Sequence, residues 1–184
     1  MPGHDVIVVR ASAGGIEALA RLAGSLPADL PAAIFLVLHI PAQSPSLLPE
    51  ILNRAGPLQA THPADGETIQ HGHIYVAPPD HHLLIEEGIV RIVRGPKENR
   101  HRPAVDPLFR SAARTYGTRV VGVILTGSLD DGTAGLLAIK RRGGMAPEEQ
   151  QTHNSARDHY PPGWAHVGRE YARRRQHVFC LATA

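Results

Sequence analysis

Three largely apolar runs constrain the fold of this 184-residue chain more than any other feature. They cover residues 5–9, 33–38 and 119–125. Their aliphatic, often β-branched side chains do not alternate with polar ones, which is typical of strands buried on both faces of a parallel sheet. A helical pattern follows the first run, and strand–helix–strand connections are right-handed. We therefore predict an α/β fold with three layers, a mainly parallel, Rossmann-like sheet flanked by helices.

The remaining elements are predicted from spacing and breaker residues. Apolar side chains recur at helical spacing over residues 16–26, and residues 134–142 are also predicted to be helical. A third helix is predicted over residues 107–116, with Asp106 as its N-cap and Pro107 at its first position. Three short runs at residues 72–77, 82–86 and 89–93 are separated by turn residues. We expect them to form an antiparallel ribbon, including a hairpin, attached to the parallel sheet.

Composition limits the class of protein. The length suits one domain with a substantial core, and 42% of the residues are hydrophobic. The net charge is only +2 and aromatic residues are 4%, which leaves few platforms for stacking bases, so we expect no nucleic-acid partner. Cys180 is the only cysteine, which excludes an internal disulfide, and the first residues lack a secretory pattern. We expect a cytoplasmic protein.

Small and polar residues follow each of the three apolar runs. Ser12 follows the first run, His39 the second, and Asp130 and Asp131 the third. Loops after the carboxyl ends of parallel strands converge on one edge of a sheet, where α/β proteins usually bind ligands. A serine, a histidine and an aspartate would therefore meet there. Their meeting predicts nucleophilic acyl transfer.

Ser12 lies in a predicted strand-to-helix turn of small residues, Ala-Ser-Ala-Gly-Gly at positions 11–15. Such a turn exposes the hydroxyl of a nucleophile, and the N-terminus of the following helix favours a developing oxyanion. Two alternatives remain open for the same residues. Ser12 caps the helix, or the two glycines cradle a phosphate or nucleotide.

His39 and the paired aspartates have similar alternatives. His39 ends a buried strand and can act as general base, or it can simply bind a backbone carbonyl. Either Asp130 or Asp131 can orient that imidazole, or serve as the N-cap of the helix after Gly132. The spacing alone does not choose between the two aspartates.

A histidine-rich segment raises the question of a metal site. Its members are His71, His73, His81 and His82, with Asp80 beside them. Two histidines on one face of a strand can bind zinc, but no cysteine or glutamate completes a set at the usual spacing. We expect neither a metal nor a cofactor.

Taken together, five ordered motifs resemble the catalytic domain of the bacterial chemotaxis protein-glutamate methylesterases (CheB-type). The resemblance covers about residues 6–144. The motifs lie at residues 11–15 (Ala-Ser-Ala-Gly-Gly), 38–41 (Leu-His-Ile-Pro), 72–78 (Gly-His-Ile-Tyr-Val-Ala-Pro), 100–109 (Arg-His-Arg-Pro-Ala-Val-Asp-Pro-Leu-Phe) and 124–135 (Ile-Leu-Thr-Gly-Ser-Leu-Asp-Asp-Gly-Thr-Ala-Gly).

The resemblance implies a function and its residues. The family's catalytic triad falls on Ser12, His39 and Asp131, so it selects the second of the two aspartates. It implies hydrolysis of glutamate methyl esters on methyl-accepting chemotaxis-type receptors, with release of methanol, and deamidation of certain glutamines. The backbone N–H groups of Ala13 and Ser128 are the expected oxyanion donors, on position only. The expected partners are methylated receptors, so the protein would meet the membrane only through them.

The chain also departs from the family pattern. Arg10 stands where the family usually has glycine, and Ser128-Leu129 replaces the usual Met-Gly. No receiver domain precedes the motifs, so we expect any phosphorylation control to come from a separate partner. We divide the chain into a CheB-type methylesterase domain, residues 1–144, and an atypical, poorly packed C-terminal tail, residues 145–184. The alternative function is a catalytically impaired, CheB-like signalling or binding module.

Overall fold

The computed structural model of the protein describes residues 3–39, 43, 45–125 and 131–146. Its strands are β1 (Val6–Ala11), β2 (Ala33–Leu38), β3 (Gln59–Thr61), β4 (His73–Val76), β5 (His82–Glu86), β6 (Ile89–Val93) and β7 (Val120–Ile124). Its helices are α1 (Ile16–Ser25), α2 (Leu48–Ala55), α3 (Val105–Tyr116) and α4 (Thr133–Arg141).

Five strands form one parallel sheet in the order β3-β4-β2-β1-β7. Strand β1 is the point at which the chain switches from one half of the sheet to the other, because β2 lies on one side of it and β7 on the other. Ala11 pairs with Leu38, and Arg10 pairs with both Val37 and Ile124. The carboxyl ends of the three central strands are therefore level with one another. This is the crevice where open α/β sheets usually bind ligands.

Two apolar layers cover the two faces of the sheet. On one face, Leu19 of α1 and Leu52 of α2 pack against the side chains of alternate sheet residues. On the other face, Phe109 of α3, Ile139 of α4 and the hairpin residue Leu83 pack against the intervening ones. Strand side chains alternate between faces, so the apolar runs must be continuous. The predicted three-layer α/β fold with a mainly parallel sheet and an antiparallel hairpin is confirmed.

Some predicted details are wrong. Residues 73–76 form β4, a parallel strand between β2 and β3, so only β5 and β6 form the antiparallel ribbon. Helix α3 begins at Val105 with Ala104 as its N-cap, so Asp106 lies inside the first turn and does not cap it. Helix α2 and strand β3 were not predicted; α2 is only 8 residues long and β3 only 3.

The last described residues continue the fold beyond α4. Met145 pairs in parallel with Val121, and its backbone exchanges hydrogen bonds with Val120 and Gly122 on the edge strand β7. The predicted division at residue 144 stays a prediction, and residues 147–184 lie outside the described residues. Within the part that is described, the helices are too short or too polar to cross a bilayer.

Candidate active site

Ser12 and His39 follow the paired ends of adjacent strands. Ala11 and Leu38 are the last residues in register between β1 and β2, and the His39 N–H still reaches the Ala11 carbonyl at 3.4 Å. Neighbouring strands lie about 4.8 Å apart. The sheet therefore brings the backbones of Ser12 and His39 to the same edge, as their positions after the apolar runs predict.

Ser12 precedes a short 3₁₀ helix, Ala13–Gly15, which leads directly into α1. Its backbone is extended, with φ −90° and ψ 170°, and its side chain makes no capping hydrogen bond to that helix. Ser12 thus occupies the N-cap position of the 3₁₀ helix without a side-chain capping bond, and the N-cap of α1 is Gly15. The N–H groups of the first turn of a helix have no partner within the helix, and they point towards the end where Ser12 lies.

His39 and Asp131 form a hydrogen-bonded pair although 92 positions separate them in sequence. Nε2 of His39 lies 2.8 Å from Oδ2 of Asp131. Because an ionised carboxylate only accepts hydrogen bonds, Nε2 carries the proton of the neutral ring and Nδ1 is left as the basic nitrogen. The side chain of His39 is 13% exposed and that of Asp131 only 2%. A histidine base held by a buried carboxylate is the arrangement found in Ser-His-Asp triads.

Four donors surround the Asp131 carboxylate. Oδ2 accepts from His39 and from the backbone N–H of Val105 at 2.7 Å. Oδ1 accepts from the side-chain amide of Asn99 at 3.0 Å and from the backbone N–H of Asp106 at 3.2 Å. Burial alone would raise the pKa of Asp131, but these hydrogen bonds outweigh it and hold the pKa at about 2. Asp131 is therefore a fixed negative charge and does not serve as the N-cap of α4, a place taken by Gly132.

A second histidine covers the ring of the first. The His101 imidazole stacks on His39 with ring centroids 3.9 Å apart and planes within 4° of parallel. Loss of hydration lowers the pKa of His101 most, and the adjacent His39 ring lowers it further because two protonated imidazoles would repel each other. The negative charge of Asp131 raises it, and the Arg10 and Arg100 cations lower it. A neutral His101 can lie flat against His39 without like-charge repulsion.

Asp106 is a second buried carboxylate beside the pair. It is 4% exposed, and its Oδ2 accepts from the same Asn99 amide nitrogen at 3.0 Å. Its Oδ1 accepts from the backbone N–H of Gly135, in α4, at 2.7 Å. Reasoning from the sequence missed Asn99, His101 and Asp106 as parts of the site. His101 and Asp106 lie within the motif at residues 100–109, from which no role in the site had been drawn, and Asn99 directly precedes that motif.

Arg10 brings a cation to the same edge. It is only 3% exposed, and its Cδ would lie 3.7 Å from a side-chain carbon added at Gly132. Gly132 has φ +110°, a backbone conformation that favours glycine. The arginine that departs from the family pattern therefore runs alongside the residue that follows Asp131.

Other predicted residues lie outside the described part of the chain or have ordinary partners. Ser128 and Asp130 fall on residues that the structure does not describe. His73 contacts Thr61, and Asp80 pairs with Arg94 and Arg102. Among the described residues, no group of three or more histidine, cysteine, aspartate or glutamate side chains is arranged to hold a metal ion.

Comparison with known proteins gives the same family from sequence and from structure. The sequence profile of the CheB methylesterase family matches residues 7–162. A protein-glutamate methylesterase/protein-glutamine glutaminase of Xanthomonas campestris pv. campestris is 44% identical over 142 residues, which are 75% of this chain and 39% of that protein. A namesake from Methanosarcina mazei is 38% identical over 157 residues, 81% of this chain and 43% of that protein.

The fold agrees with these matches. The crystal structure of the Thermotoga maritima CheB methylesterase catalytic domain superposes with a TM-score of 0.73 at 34% identity, covering 83% of this chain and 82% of that one. The chain spans about two fifths of the length of the two curated relatives described above. With a matching profile, sequence relatives and a shared fold, the chain belongs to the CheB methylesterase family.

Proposed function

We propose that this chain is a protein-glutamate methylesterase that hydrolyses γ-methyl esters of glutamate side chains on methyl-accepting chemotaxis-type receptors. Deamidation of receptor glutamines uses the same groups and is part of the proposal. The observation that carries it is the 2.8 Å hydrogen bond between His39 Nε2 and Asp131 Oδ2 at the sheet edge where Ser12 lies. The names of the relatives from Xanthomonas and Methanosarcina support the choice of substrate.

The proposed reaction has two halves. In the first, Nδ1 of His39 takes the Ser12 hydroxyl proton while Oγ attacks the ester carbonyl, and the ionised Asp131 stabilises the imidazolium that forms. The imidazolium then gives its proton to the departing methoxide, so methanol leaves and an acyl-serine remains. In the second half, His39 activates a water that releases the glutamate carboxylate and restores Ser12.

Charge stabilisation in this scheme comes from the backbone. The carbonyl oxygen becomes an oxyanion in each half, and donors fixed in advance at that position lower the barrier by several kcal/mol. We assign one donor to the N–H of Ala13, which opens the helical turn after Ser12, and keep Ser128 as the second. No step needs a metal or a cofactor. We propose that the reaction takes place in the cytoplasm, with a separate phosphorylation-responsive protein as the means of control.

Release of methanol from methyl-labelled receptor tests this proposal. Receptor-containing membranes carrying labelled methyl esters are incubated with the protein, and volatile label is counted. We expect release by the unaltered protein and none by Ser12→Ala. Ser25→Ala is the matched control, because the Ser25 hydroxyl only donates to the Leu22 carbonyl within α1. Equal release by Ser12→Ala and the unaltered protein would refute the assigned nucleophile.

One observation favours a second candidate, a catalytically impaired binding module. The buried Arg10 puts a cation at the site where the family pattern has glycine. This candidate predicts that the protein binds methylated receptor and releases no methanol at any protein concentration. Arg10→Gly would then restore turnover, whereas the methylesterase proposal predicts turnover without that change.

A further inference from the structure

Asn99 joins the two buried carboxylates of the site. Its amide nitrogen Nδ2 lies 3.0 Å from Oδ1 of Asp131 and 3.0 Å from Oδ2 of Asp106. A carboxamide nitrogen carries two hydrogens, so one bond to each carboxylate uses both of its donors. Asn99 itself is exposed. An exposed residue therefore supplies a donor to each of two buried carboxylates.

We propose that Asn99 is a positioning residue of this site, and that its amide holds the Asp131 carboxylate in the orientation in which Oδ2 faces His39. The inference rests on the proposed function, because it concerns the catalytic geometry of the same groups. Each Asp131 oxygen has two donors, and Asn99 supplies one of the two on Oδ1. Loss of that donor would leave Oδ1 with one backbone N–H and would free the carboxylate to rotate away from His39.

The charges of the site explain why a neutral donor is needed here. Asp106 and Asp131 are neighbours across one nitrogen atom, and two carboxylates in such a place repel each other. One NH₂ group that donates a separate N–H to each carboxylate stabilises both and adds no net charge beside His39. Hydrogen bonds to ionised groups are about twice as strong as neutral ones. A neutral amide at position 99 therefore favours the ionised form of Asp131, whereas a carboxylate at that position would repel it.

A tight turn fixes Asn99 in this place. Glu98 and His101 exchange backbone hydrogen bonds of 3.1 and 2.8 Å, and the two residues between them, Asn99 and Arg100, have φ of +48° and +66°. Such turns favour asparagine, which adopts positive φ more readily than other residues with a side chain. The same turn lays His101 on the ring of His39. One short turn therefore touches both members of the His39–Asp131 pair.

Neighbouring contacts hold the turn against the body of the protein. Both carboxylate oxygens of Glu98 accept from Arg110 of α3, at 2.7 and 2.9 Å. Arg102 donates to the Gly95 carbonyl at 2.7 Å and to Asp80 at 2.6 Å. A substitution confined to the Asn99 side chain should therefore leave the path of the backbone unchanged.

Asn99→Gly is the sharpest variant. Glycine accepts φ +48° without strain, so the turn persists while the amide is removed. Two readouts are measured: kcat and KM for methanol release, and the far-downfield proton resonance of the His39 Nε2–H···Asp131 bond, identified by its loss in His39→Gln. We expect kcat to fall 10- to 100-fold with KM within threefold, and the resonance to shift upfield or broaden beyond detection.

Asn99→Asp keeps the shape and the tolerance for positive φ but replaces the donor by a carboxylate. We expect kcat below that of Asn99→Gly near neutral pH. The two should approach each other as pH is lowered, because the introduced carboxyl then takes up a proton and donates. A role in folding alone would produce no such pH-dependent difference. This variant also keeps the proposal falsifiable if Asn99→Gly does not fold.

Asn53→Ala is the matched control. Asn53 is another exposed asparagine with two hydrogen bonds to the backbone, both to Ala60. Through Ile74, Ala60 is in register with Ile34 near the start of β2, away from the carboxyl ends that carry the site. We expect it to lower stability and to leave kcat and the His39 resonance unchanged. An unchanged resonance in both Asn99 variants, with kcat within twofold of the unaltered protein, would overturn the proposal. The resonance reports on Asn99 even if the protein hydrolyses no ester, so failure of the proposed function is recognised separately.

Discussion

Asp106 and Asp131 connect helices α3 and α4 in both directions: each carboxylate accepts hydrogen bonds from N–H groups in the first turn of the other residue's helix. Asp131, just before α4, accepts from the Val105 and Asp106 N–H groups of α3 at 2.7 and 3.2 Å. Asp106, in α3, accepts from the Gly135 N–H of α4 at 2.7 Å. This exchange satisfies N–H groups that a helix leaves unpaired at its start. It also ties the proposed catalytic carboxylate to both helices on one face of the sheet.

Asp106→Asn should lower the free energy of unfolding by about 1–3 kcal/mol, the usual cost of an unsatisfied buried polar group. An asparagine can still accept from Gly135 with its oxygen, but its NH₂ group then faces the NH₂ group of Asn99. Urea unfolding followed by circular dichroism measures the effect. The matched control is Asp29→Asn at an exposed position, where we expect a change below about 0.5 kcal/mol. Equal values for the two variants would contradict the exchange.

The low pKa of Asp131 predicts how stability depends on acid. Its folded pKa is about 2 and its unfolded reference is 3.8, so the contribution is complete above pH 3.8 and is lost as pH falls towards 2. The shift corresponds to about 2 kcal/mol. Unfolding free energies measured from pH 5 to pH 2 should therefore fall more steeply for the unaltered protein than for Asp131→Asn. Parallel curves would mean that Asp131 is not stabilised as a carboxylate.

Arg10→Met should raise the pKa of His101. Loss of hydration and the adjacent His39 ring lower this pKa most, and the positive charge of Arg10 lowers it further. Titration of the His101 ring protons by NMR measures the change. Arg54→Met, on the exposed surface of α2, is the control and should leave the titration where it is. An unchanged pKa of His101 in Arg10→Met would show that the charge of Arg10 does not affect the site.

The stacking of His101 on His39 predicts different effects for two substitutions. His101→Phe keeps a flat ring in contact with the imidazole, whereas His101→Ala leaves that face open to water. We expect kcat for methanol release to fall about tenfold in His101→Ala and about twofold in His101→Phe. His81→Ala is a control of the same type, since the His81 ring hydrogen-bonds the Pro79 carbonyl and is not part of the His39–Asp131 pair. Equal losses in the Ala and Phe variants would show that the flat contact plays no part.

The meeting of Ser12 and His39 at one sheet edge was predictable from the sequence because it follows from the apolar runs that precede them. Largely apolar runs cover residues 5–9, 33–38 and 119–125, and burial on both faces of a parallel sheet requires such runs in its strands. Once parallel strands are inferred, Ser12 and His39 must lie at one edge. The resemblance to the family then selected Asp131, which the apolar pattern could not separate from Asp130.

What the sequence left unpredicted depends on tertiary contacts. Asp106 in front of Pro107 fits a helix N-cap by every local rule, but its carboxylate is taken by the first turn of a different helix. Residues 73–76 are as short as the hairpin strands, and only their position between β2 and β3 makes them parallel. Asn99 has no local pattern beyond its turn, because its partners lie 7 and 32 positions away in sequence.

Covalent labelling of Ser12 tests most directly whether His39 activates Ser12 as a nucleophile. A fluorophosphonate reacts with serines that a histidine base activates, and peptide mapping by mass spectrometry locates the adduct without needing any receptor. We predict one adduct on Ser12 in the unaltered protein and in Ser25→Ala, and a rate at least a hundredfold lower in His39→Ala. Labelling of Ser12 at the same rate in His39→Ala, or an adduct only at another serine, would contradict the account.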